Sequence, residues 1–143
     1  MITFTNTIRI NRPVADVYAY LSDLEHTPEW NWAITNTAKT TPGPVAVGTR
    51  YQQTRTSPRP ETETLEITAL DVDRHIEVRG TLAALPARLS YDLHEIDNAT
   101  ELTNTVTLEP HGPLRLAAPV MRISIKHAVA DNLDKLKIRL DGP

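Results

Sequence analysis

The chain of 143 residues has no cysteine and only five glycines. Because all three need cysteine, disulfides, thiolate zinc sites and cysteine nucleophiles are excluded. The glycines do not form the G-x-x-x-x-G-K-[ST] or G-x-G-x-x-G patterns that cradle phosphates, and neither H-E-x-x-H nor G-x-S-x-G is present. We therefore expect no cofactor and no metal site, and neither a nucleotide-dependent enzyme nor a serine hydrolase.

Long apolar runs and an excess of positive charge are also missing. No apolar stretch approaches the roughly 18 residues that a membrane span needs. The first residues show neither the basic nor the apolar part of an export signal. The net charge of -3 at pH 7 offers no basic surface for nucleic acid. We expect one cytoplasmic domain, residues 1–143, with no membrane span and no nucleic-acid partner, and a homodimer stays open.

What the chain does have is a long amphipathic segment near its end, residues 119–140. Its apolar residues recur at three- and four-residue steps, which place side chains on one face of a helix. These residues are Met121, Ile125, Ala128, Val129, Leu133, Leu136 and Leu140. At about 1.5 Å per residue such a helix is roughly 33 Å long. Its apolar face must therefore lie against a broad apolar surface elsewhere in the chain.

Alternating apolar and polar residues predict seven strands before this helix. The predicted strands are residues 2–10, 34–40, 48–56, 62–70, 74–82, 87–96 and 100–109. After the first strand, Asn11-Arg12-Pro13 opens one short helix, and Thr27 is the predicted cap of a second, very short helix that starts at Pro28. Turn residues separate most successive strands, so the pattern predicts an α+β fold with an antiparallel sheet.

The inner face of the predicted sheet is more polar than a packed core requires. On the strand after Gly48, Tyr51, Gln53 and Arg55 alternate onto one face, and on the next strand Glu61 and Glu63 share the face of the apolar residues. Burying such groups without partners costs about 1–3 kcal/mol each. Either these groups pair with one another, or they line a wet hollow of ligand size.

This order of elements resembles the START-like superfamily of the birch-pollen-allergen type, often called SRPBCC, and within it the polyketide cyclase/dehydratase-like branch. The matching stretches are Ile8 to Val17, Leu21-Ser22-Asp23, Pro28-Glu29-Trp30, Thr41 to Pro44, Val47 to Tyr51, Pro119 to Arg122 and Asn132 to Lys137. The resemblance covers essentially the whole chain. It implies a helix-grip fold, in which a curved seven-stranded antiparallel sheet wraps around the C-terminal helix, with two short helices after the first strand and an internal cavity. It also implies a small hydrophobic molecule as partner, and it supplies no catalytic motif.

The candidate catalytic residues are Glu63, Glu61, Arg55 and Tyr51. The Pro-containing turn at residues 57–60 should bring the two ends of its hairpin together, so that Arg55 faces Glu61 or Glu63. In a cavity, a glutamate could abstract a proton next to a carbonyl, Arg55 could steady the enolate oxygen and Tyr51 could donate a proton. The simpler interpretation is an ion pair at a hairpin end, which contributes about 0–1 kcal/mol and has no function.

Further residues are candidates for contacting the ligand. The rings of Trp30, Tyr91 and Tyr51 could clamp an aromatic molecule, or they could pack in the core. Asn104 and its neighbour Asn6 could hold a carbonyl or a water, or their amides could satisfy one another. The remaining candidates are Gln53 on the sheet, Met121 and Ile125 on the long helix, and His26 at the gap between the short helices.

Two functions follow from these candidates. In the first, the chain is an enzyme that cyclises or dehydrates an enolisable, largely apolar substrate, such as an aromatic polyketide, by acid/base chemistry. In the second, it is a noncatalytic carrier or sensor whose cavity shields a hydrophobic molecule. The two differ in whether ionisable groups meet inside the cavity or lie only at its rim.

Overall fold

The computed structural model describes residues 1–142 and contains seven strands, two α-helices and two 3₁₀-helices. The strands are β1 (Ile2–Ile10), β2 (Ile34–Lys39), β3 (Arg50–Arg55), β4 (Glu61–Asp71), β5 (His75–Leu82), β6 (Leu85–Ile96) and β7 (Ala99–Leu108). The helices are α1 (Val14–Leu21), a first 3₁₀-helix (Leu24–Glu29), a second 3₁₀-helix (Gly112–Ala117) and α2 (Ala118–Asp141). The predicted α+β class and all seven predicted strands are confirmed, with ends that differ by at most two residues.

The seven strands form one antiparallel sheet in the order β1-β7-β6-β5-β4-β3-β2. Neighbours in the chain are neighbours in the sheet, except that β1 closes the sheet against β7, where Ile2 pairs with Leu108 and Ile10 with Thr100. The long strands alternate between a buried and an exposed face, as the sequence pattern predicts. The buried face lies against α2, which is the helix-grip arrangement.

The helix α2 occupies the predicted position and extends it by one residue at each end. Its predicted apolar stripe is turned toward the sheet: Leu133 and Leu136 are fully buried, and Met121, Ile125 and Val129 are half-buried. No helix within residues 1–142 is long and apolar enough to cross a lipid bilayer.

The short helical segments differ from the prediction. The first 3₁₀-helix begins before Thr27, and its cap is Asp23, whose carboxylate accepts a hydrogen bond from the Glu25 backbone N–H at 3.1 Å. An aspartate at this position satisfies an unpaired N–H and favours an earlier start. Thr27 therefore lies inside the helix. The second 3₁₀-helix was not predicted, because three prolines and a glycine between residues 110 and 119 resemble a turn.

Candidate functional site

A cavity of about 660 Å³ separates the first half of α2 from the concave face of the sheet. The sheet contributes apolar side chains to its wall, among them Leu65, Val78, Leu89 and Val106. The helix contributes Met121, Ile125, Ala128 and Val129. The space between sheet and helix is thus a hollow of ligand size rather than a filled core.

The mouth of the cavity is marked by lining residues that are still exposed to solvent. Trp32, which follows the first 3₁₀-helix, is 54% exposed, Leu114 in the second 3₁₀-helix is 45% exposed, and Val120 in α2 is 72% exposed. Pro58, in the turn between β3 and β4, also lines the cavity and is exposed. The opening therefore lies between the start of α2, Trp32 and the β3–β4 turn.

Few polar groups reach the cavity. Among the lining residues within 1–142, only Arg55 and Tyr91 are ionisable, and none is Asp, Glu, His or Lys. The other polar lining residues include the amides of Gln53, Asn104 and Asn132. In the same part of the chain, no three His, Asp or Glu side chains come together as metal ligands. The wall is therefore apolar, with a small number of hydrogen-bonding groups and one cation.

Arg55 is held at the wall by a buried carboxylate. Glu63 is only 2% exposed, and its Oε2 accepts a hydrogen bond from Arg55 Nε at 2.9 Å. Its Oε1 accepts one from Gln53 Nε2 at 2.8 Å. The backbone N–H of Ala83 donates to Oε2 at 2.5 Å. The predicted pairing of Arg55 with a glutamate of the facing strand is present, and Glu63 is the partner.

The strand register brings these groups together. Gln53 lies opposite Glu63, and Arg55 lies opposite Glu61, so Arg55 reaches diagonally to Glu63. Ala83 belongs to the two-residue turn between β5 and β6, in which it and the next residue have φ of 51° and 67°. Such a turn suits the twist of a hairpin and turns the N–H of Ala83 toward the carboxylate. One carboxylate thus ties together three segments of the sheet.

The surroundings of Glu63 and Glu61 do not match their predicted role as bases in the cavity. Glu63 does not line the cavity, and both of its oxygen atoms already accept hydrogen bonds from the protein. Glu61 is partly exposed, and its nearest cation is Arg59 at 3.7 Å, on the solvent side of the hairpin. Neither carboxylate faces the space that a substrate would occupy.

Tyr51 and His26 also lie away from the cavity wall. Tyr51 is on the inner face, as predicted, but it is fully buried in the core, and its hydroxyl has no hydrogen-bond partner within residues 1–142. Burial, with a smaller contribution from the Asp23 carboxylate, raises the pKa of Tyr51 to about 12. His26 stacks on Tyr20 with ring centroids 4.3 Å apart, and its Nδ1 lies 2.7 Å from the Tyr20 carbonyl oxygen.

The other predicted ligand contacts do line the cavity. They are Trp30, Gln53, Tyr91, Asn104, Met121 and Ile125. Tyr91 is 7% exposed, and burial raises the pKa of its hydroxyl to about 12. Tyr91 lies opposite Asn104 in the β6–β7 pair. A neutral hydroxyl and an amide are therefore adjacent on the sheet side of the cavity.

The buried amides do not satisfy one another, contrary to the interpretation that paired them. Asn6 and Asn104 are neighbours across β1 and β7, as predicted, but Asn104 Nδ2 donates to the Ser90 carbonyl oxygen at 3.1 Å. Asn6 Nδ2 has no partner among the described residues. Asn132 Oδ1 accepts a hydrogen bond from the backbone N–H of Trp32 at 3.4 Å, which links α2 to the mouth.

The residues that form the mouth were missed by the sequence analysis. Trp32, Pro58, Leu114 and Val120 line the cavity but lie in turns, in a 3₁₀-helix or at the start of α2. Large apolar residues outside any periodic pattern are the signal that points to them. Trp32 and Leu114 stand where the sequence predicts loops, and a loop normally exposes polar side chains.

Comparisons with known proteins agree with this architecture. A family model described as polyketide cyclase / dehydrase and lipid transport matches residues 1–141. The chain belongs to this family. The match covers nearly all of the sequence and confirms the predicted polyketide cyclase/dehydratase-like branch. The fold that the START-like resemblance implies is confirmed by solved structures.

Solved structures share the fold of this polyketide cyclase/dehydrase family member at low sequence identity. A START superfamily protein from Mycobacterium smegmatis has a TM-score of 0.85 at 11% identity, over 99% of this chain and 98% of that one. A protein from Thermus thermophilus, TTHA0849, has a TM-score of 0.80 at 15% identity, over 96% of both chains. The Zhui aromatase/cyclase from Streptomyces sp. R1128 has a TM-score of 0.78 at 14% identity, over 97% of this chain and 93% of that one. No curated protein sequence matches the chain.

Proposed function

We propose that this chain binds a small, largely apolar molecule in its cavity and holds an oxygen atom of that molecule beside Arg55. A volume of about 660 Å³ lies within the range of roughly 300–1,000 Å³ typical of small-molecule sites. The observation that carries the proposal is Arg55, the one cation that the described residues place on this mainly apolar wall, where buried Glu63 holds it. Family membership supports a hydrophobic ligand as well.

Arg55 has hydrogen-bond donors left for a ligand. Its Nε donates to Glu63, and its Nη1 donates to the Ser57 carbonyl oxygen at 3.4 Å. A guanidinium carries five N–H groups, so donors remain after these two bonds. A ketone, phenolate or carboxylate oxygen is a suitable acceptor, and the apolar wall accommodates the rest of the molecule.

A pair of fluorescent probes tests both parts of the proposal. Anilinonaphthalene sulfonate carries an anionic group on an aromatic body, and N-phenylnaphthylamine has the same body without that group. Because removing Arg55 alone would leave Glu63 buried without its cation, the variant is Arg55→Met/Glu63→Gln, whose neutral amide oxygen can still accept from Gln53 or Ala83. We expect it to weaken binding of the sulfonate about tenfold, as loss of a charged hydrogen bond should, and to leave the neutral probe unaffected.

Two controls locate the probe in the cavity. Arg59→Met removes a cation of the same hairpin that does not line the cavity, and it should change neither affinity. Ile125→Trp places a large ring in the cavity and should weaken both probes. If both probes bind Ile125→Trp as tightly as the unmodified chain, the cavity is not their site and the proposal fails.

Catalysis of cyclisation or dehydration is the second candidate. It is favoured by the presence of a guanidinium and a neutral phenol on one cavity wall, which are suited to an enolate oxygen and to proton donation. In this mechanism Tyr91 takes the role that the sequence analysis gave to Tyr51, and Glu63 positions Arg55. The α-proton goes to a water or hydroxide ion from solvent, because the described residues place no carboxylate, imidazole or amine on the cavity wall. The noncatalytic alternative is a carrier that uses the same groups only for binding.

Deuterium exchange separates catalysis from carriage. Benzoylacetone, an enolisable aromatic diketone, should exchange its α-hydrogens in D₂O faster with the chain than in buffer if the site promotes enolisation. Tyr91→Phe should then slow the exchange, with the affinity for the neutral probe kept. An exchange rate equal to that in buffer, with benzoylacetone shown to displace the probe, would leave the carrier function.

A further inference from the structure

The residues around the cavity mouth expose more apolar surface than a rim requires. Leu114 and Val120 line the cavity and are 45% and 72% exposed. Leu116 and Ile123, close to them in the chain, do not line the cavity and are 90% and 57% exposed. Across the opening, Trp32 is 54% exposed. Large exposed apolar side chains at the opening and on adjoining residues of the chain indicate an interaction surface.

Positive charges predominate in this region. Residues 110–130, here called the mouth segment, contain Arg115, Arg122 and Lys126 and no aspartate or glutamate, and the exposed acidic residues Glu109 and Asp131 flank them. Elsewhere the chain has twelve Lys and Arg, which is the total of fifteen less these three, against eighteen Asp and Glu. The mouth segment is thus a positive, apolar surface on an otherwise acidic chain.

We propose that the mouth segment, together with Trp32, docks the open end of the cavity on an anionic lipid surface. Exposed leucine, isoleucine and valine side chains can insert at the boundary of headgroups and acyl chains, and cations beside them are attracted to anionic headgroups. Tryptophan favours the same interfacial depth. The docked mouth would let an apolar ligand pass between bilayer and cavity without crossing water.

The charge pattern favours a lipid surface over a second copy of the chain. In a two-fold dimer the same patch meets itself, so the cations of the mouth segment would be brought close to those of the second copy. Like charges brought together in this way oppose association. An anionic bilayer instead complements Arg115 and Lys126 and provides an apolar phase for Leu116 and Ile123. Arg122 contributes less, because its Nε donates to the Thr3 carbonyl oxygen of β1 at 3.0 Å.

Vesicle sedimentation of the full chain tests the docking. We expect partition into vesicles of phosphatidylcholine mixed with phosphatidylglycerol, reduced by high salt and much weaker with phosphatidylcholine alone. Leu116→Gln should lower the partition coefficient about tenfold. Arg115→Gln should lower it about fivefold.

Matched controls come from the other half of α2. Ile138 is 72% exposed and Lys135 is exposed, and neither lines the cavity. Ile138→Gln and Lys135→Gln should leave partition unchanged. The proposal is overturned if the chain stays in the supernatant with anionic vesicles, or if Ile138→Gln lowers partition as much as Leu116→Gln does.

The docking proposal would also be overturned if the mouth segment bound a second copy of the chain or an acidic protein instead of lipid. Sedimentation equilibrium would then show a dimer that Leu116→Gln converts to a monomer, or partition would vanish while an acidic polypeptide such as polyglutamate binds in an Arg115-dependent manner. Docking does not rest on the proposed function, although the passage of ligand does. Failure of docking is distinguishable from failure of ligand binding, because Leu116→Gln should bind N-phenylnaphthylamine as the unmodified chain does.

Discussion

The two halves of α2, divided at Ala130, differ in how closely the sheet holds them. In the first half, Met121 and Ile125 are half-buried and line the cavity. In the second half, Leu133 and Leu136 are 1% and 0% exposed and belong to the main core cluster, and the cavity ends at Asn132 and Leu133. The same amphipathic pattern therefore forms a cavity wall at one end of the helix and a packed core at the other.

The difference arises from what the rest of the chain places against each half. Leu24 and Trp30, in and next to the first 3₁₀-helix, belong with Tyr51 of β3 to the same buried cluster as Leu133 and Leu136, and they also line the end of the cavity. No comparable bulk is placed against the first half, which meets a smaller cluster that includes Phe4 and Val106. The first 3₁₀-helix thus determines where the core ends and the cavity begins.

Truncating the packed end should have the largest effect on stability. We expect Leu136→Ala to lower the free energy of unfolding by about 3–4 kcal/mol, since it leaves a void in a close-packed core. Ile125→Ala should cost about 1–2 kcal/mol, because Ile125 already borders a hollow and makes fewer contacts. Urea unfolding followed by circular dichroism measures both values.

Equal losses in the two variants would contradict the comparison. A loss at Ile125 as large as that at Leu136 would mean that the first half of α2 is as tightly packed as the second in solution. Lys135→Ala, an exposed position between core residues, should change the free energy of unfolding by less than about 0.5 kcal/mol.

Glu63→Gln should have the next largest effect, about 2–3 kcal/mol, because it removes the charge that compensates Arg55 at a buried site. The control is Glu66→Gln on the same strand. Glu66 pairs with Arg50 at 3.0 Å, but both side chains are largely exposed to solvent, so its loss should cost no more than about 1 kcal/mol. Urea unfolding of the two variants side by side checks the difference, and a Glu63→Gln cost as small as that of Glu66→Gln would show that the buried pair does not hold the wall.

Most of the fold was predictable from local patterns. Alternation placed residues such as Val78 and Leu102 on the inner face, and three- and four-residue steps marked α2 within one residue at each end. The first 3₁₀-helix was misplaced, because its start depends on the Asp23 cap, whereas Pro28 inside it suggested a later start. Local periodicity carries little information about such short segments.

The site was less predictable, because alternation gives the face of a residue and not its depth. Tyr51 and Tyr91 both point inward, yet Tyr51 is covered by the core beside the first 3₁₀-helix and Tyr91 lines the cavity. Which of the two meets a ligand depends on how sheet and helix separate, a tertiary property. The pairing of Arg55 with Glu63 was predictable because it follows from the hairpin register.

A smaller effect on the free energy of unfolding is expected from the ionisation of Tyr91, and it should appear only at alkaline pH. The folded chain keeps the Tyr91 proton up to a pKa of about 12, whereas the unfolded chain releases it near pH 10. The contribution of Tyr91 to stability is therefore intact below pH 10 and is lost as the pH rises toward 12. We expect a loss of about 1.4 kcal/mol by pH 11.

Tyr91→Phe should remove this part of the stability loss at alkaline pH, and it should leave the pH dependence of the free energy of unfolding unchanged between pH 6 and 9. Urea unfolding at a series of pH values measures that dependence. The same slope above pH 10 in Tyr91→Phe and in the unmodified chain would mean that water in the cavity solvates the phenolate, and that Tyr91 is not desolvated.

The smallest effect is expected where a side chain is added to the hollow. Ala128 lines the cavity and is half-buried, whereas Ala99 is 4% exposed and does not line it. Ala99→Leu must displace packed neighbours and should cost about 1–3 kcal/mol. Ala128→Leu extends into open space. Its new apolar contacts should offset the conformational entropy that the leucine side chain loses in the helix, so the free energy of unfolding should change by less than about 0.5 kcal/mol. N-phenylnaphthylamine should bind Ala128→Leu more weakly, since the added side chain takes volume from the ligand. If Ala128→Leu is instead as destabilised as Ala99→Leu, the cavity is closed in solution.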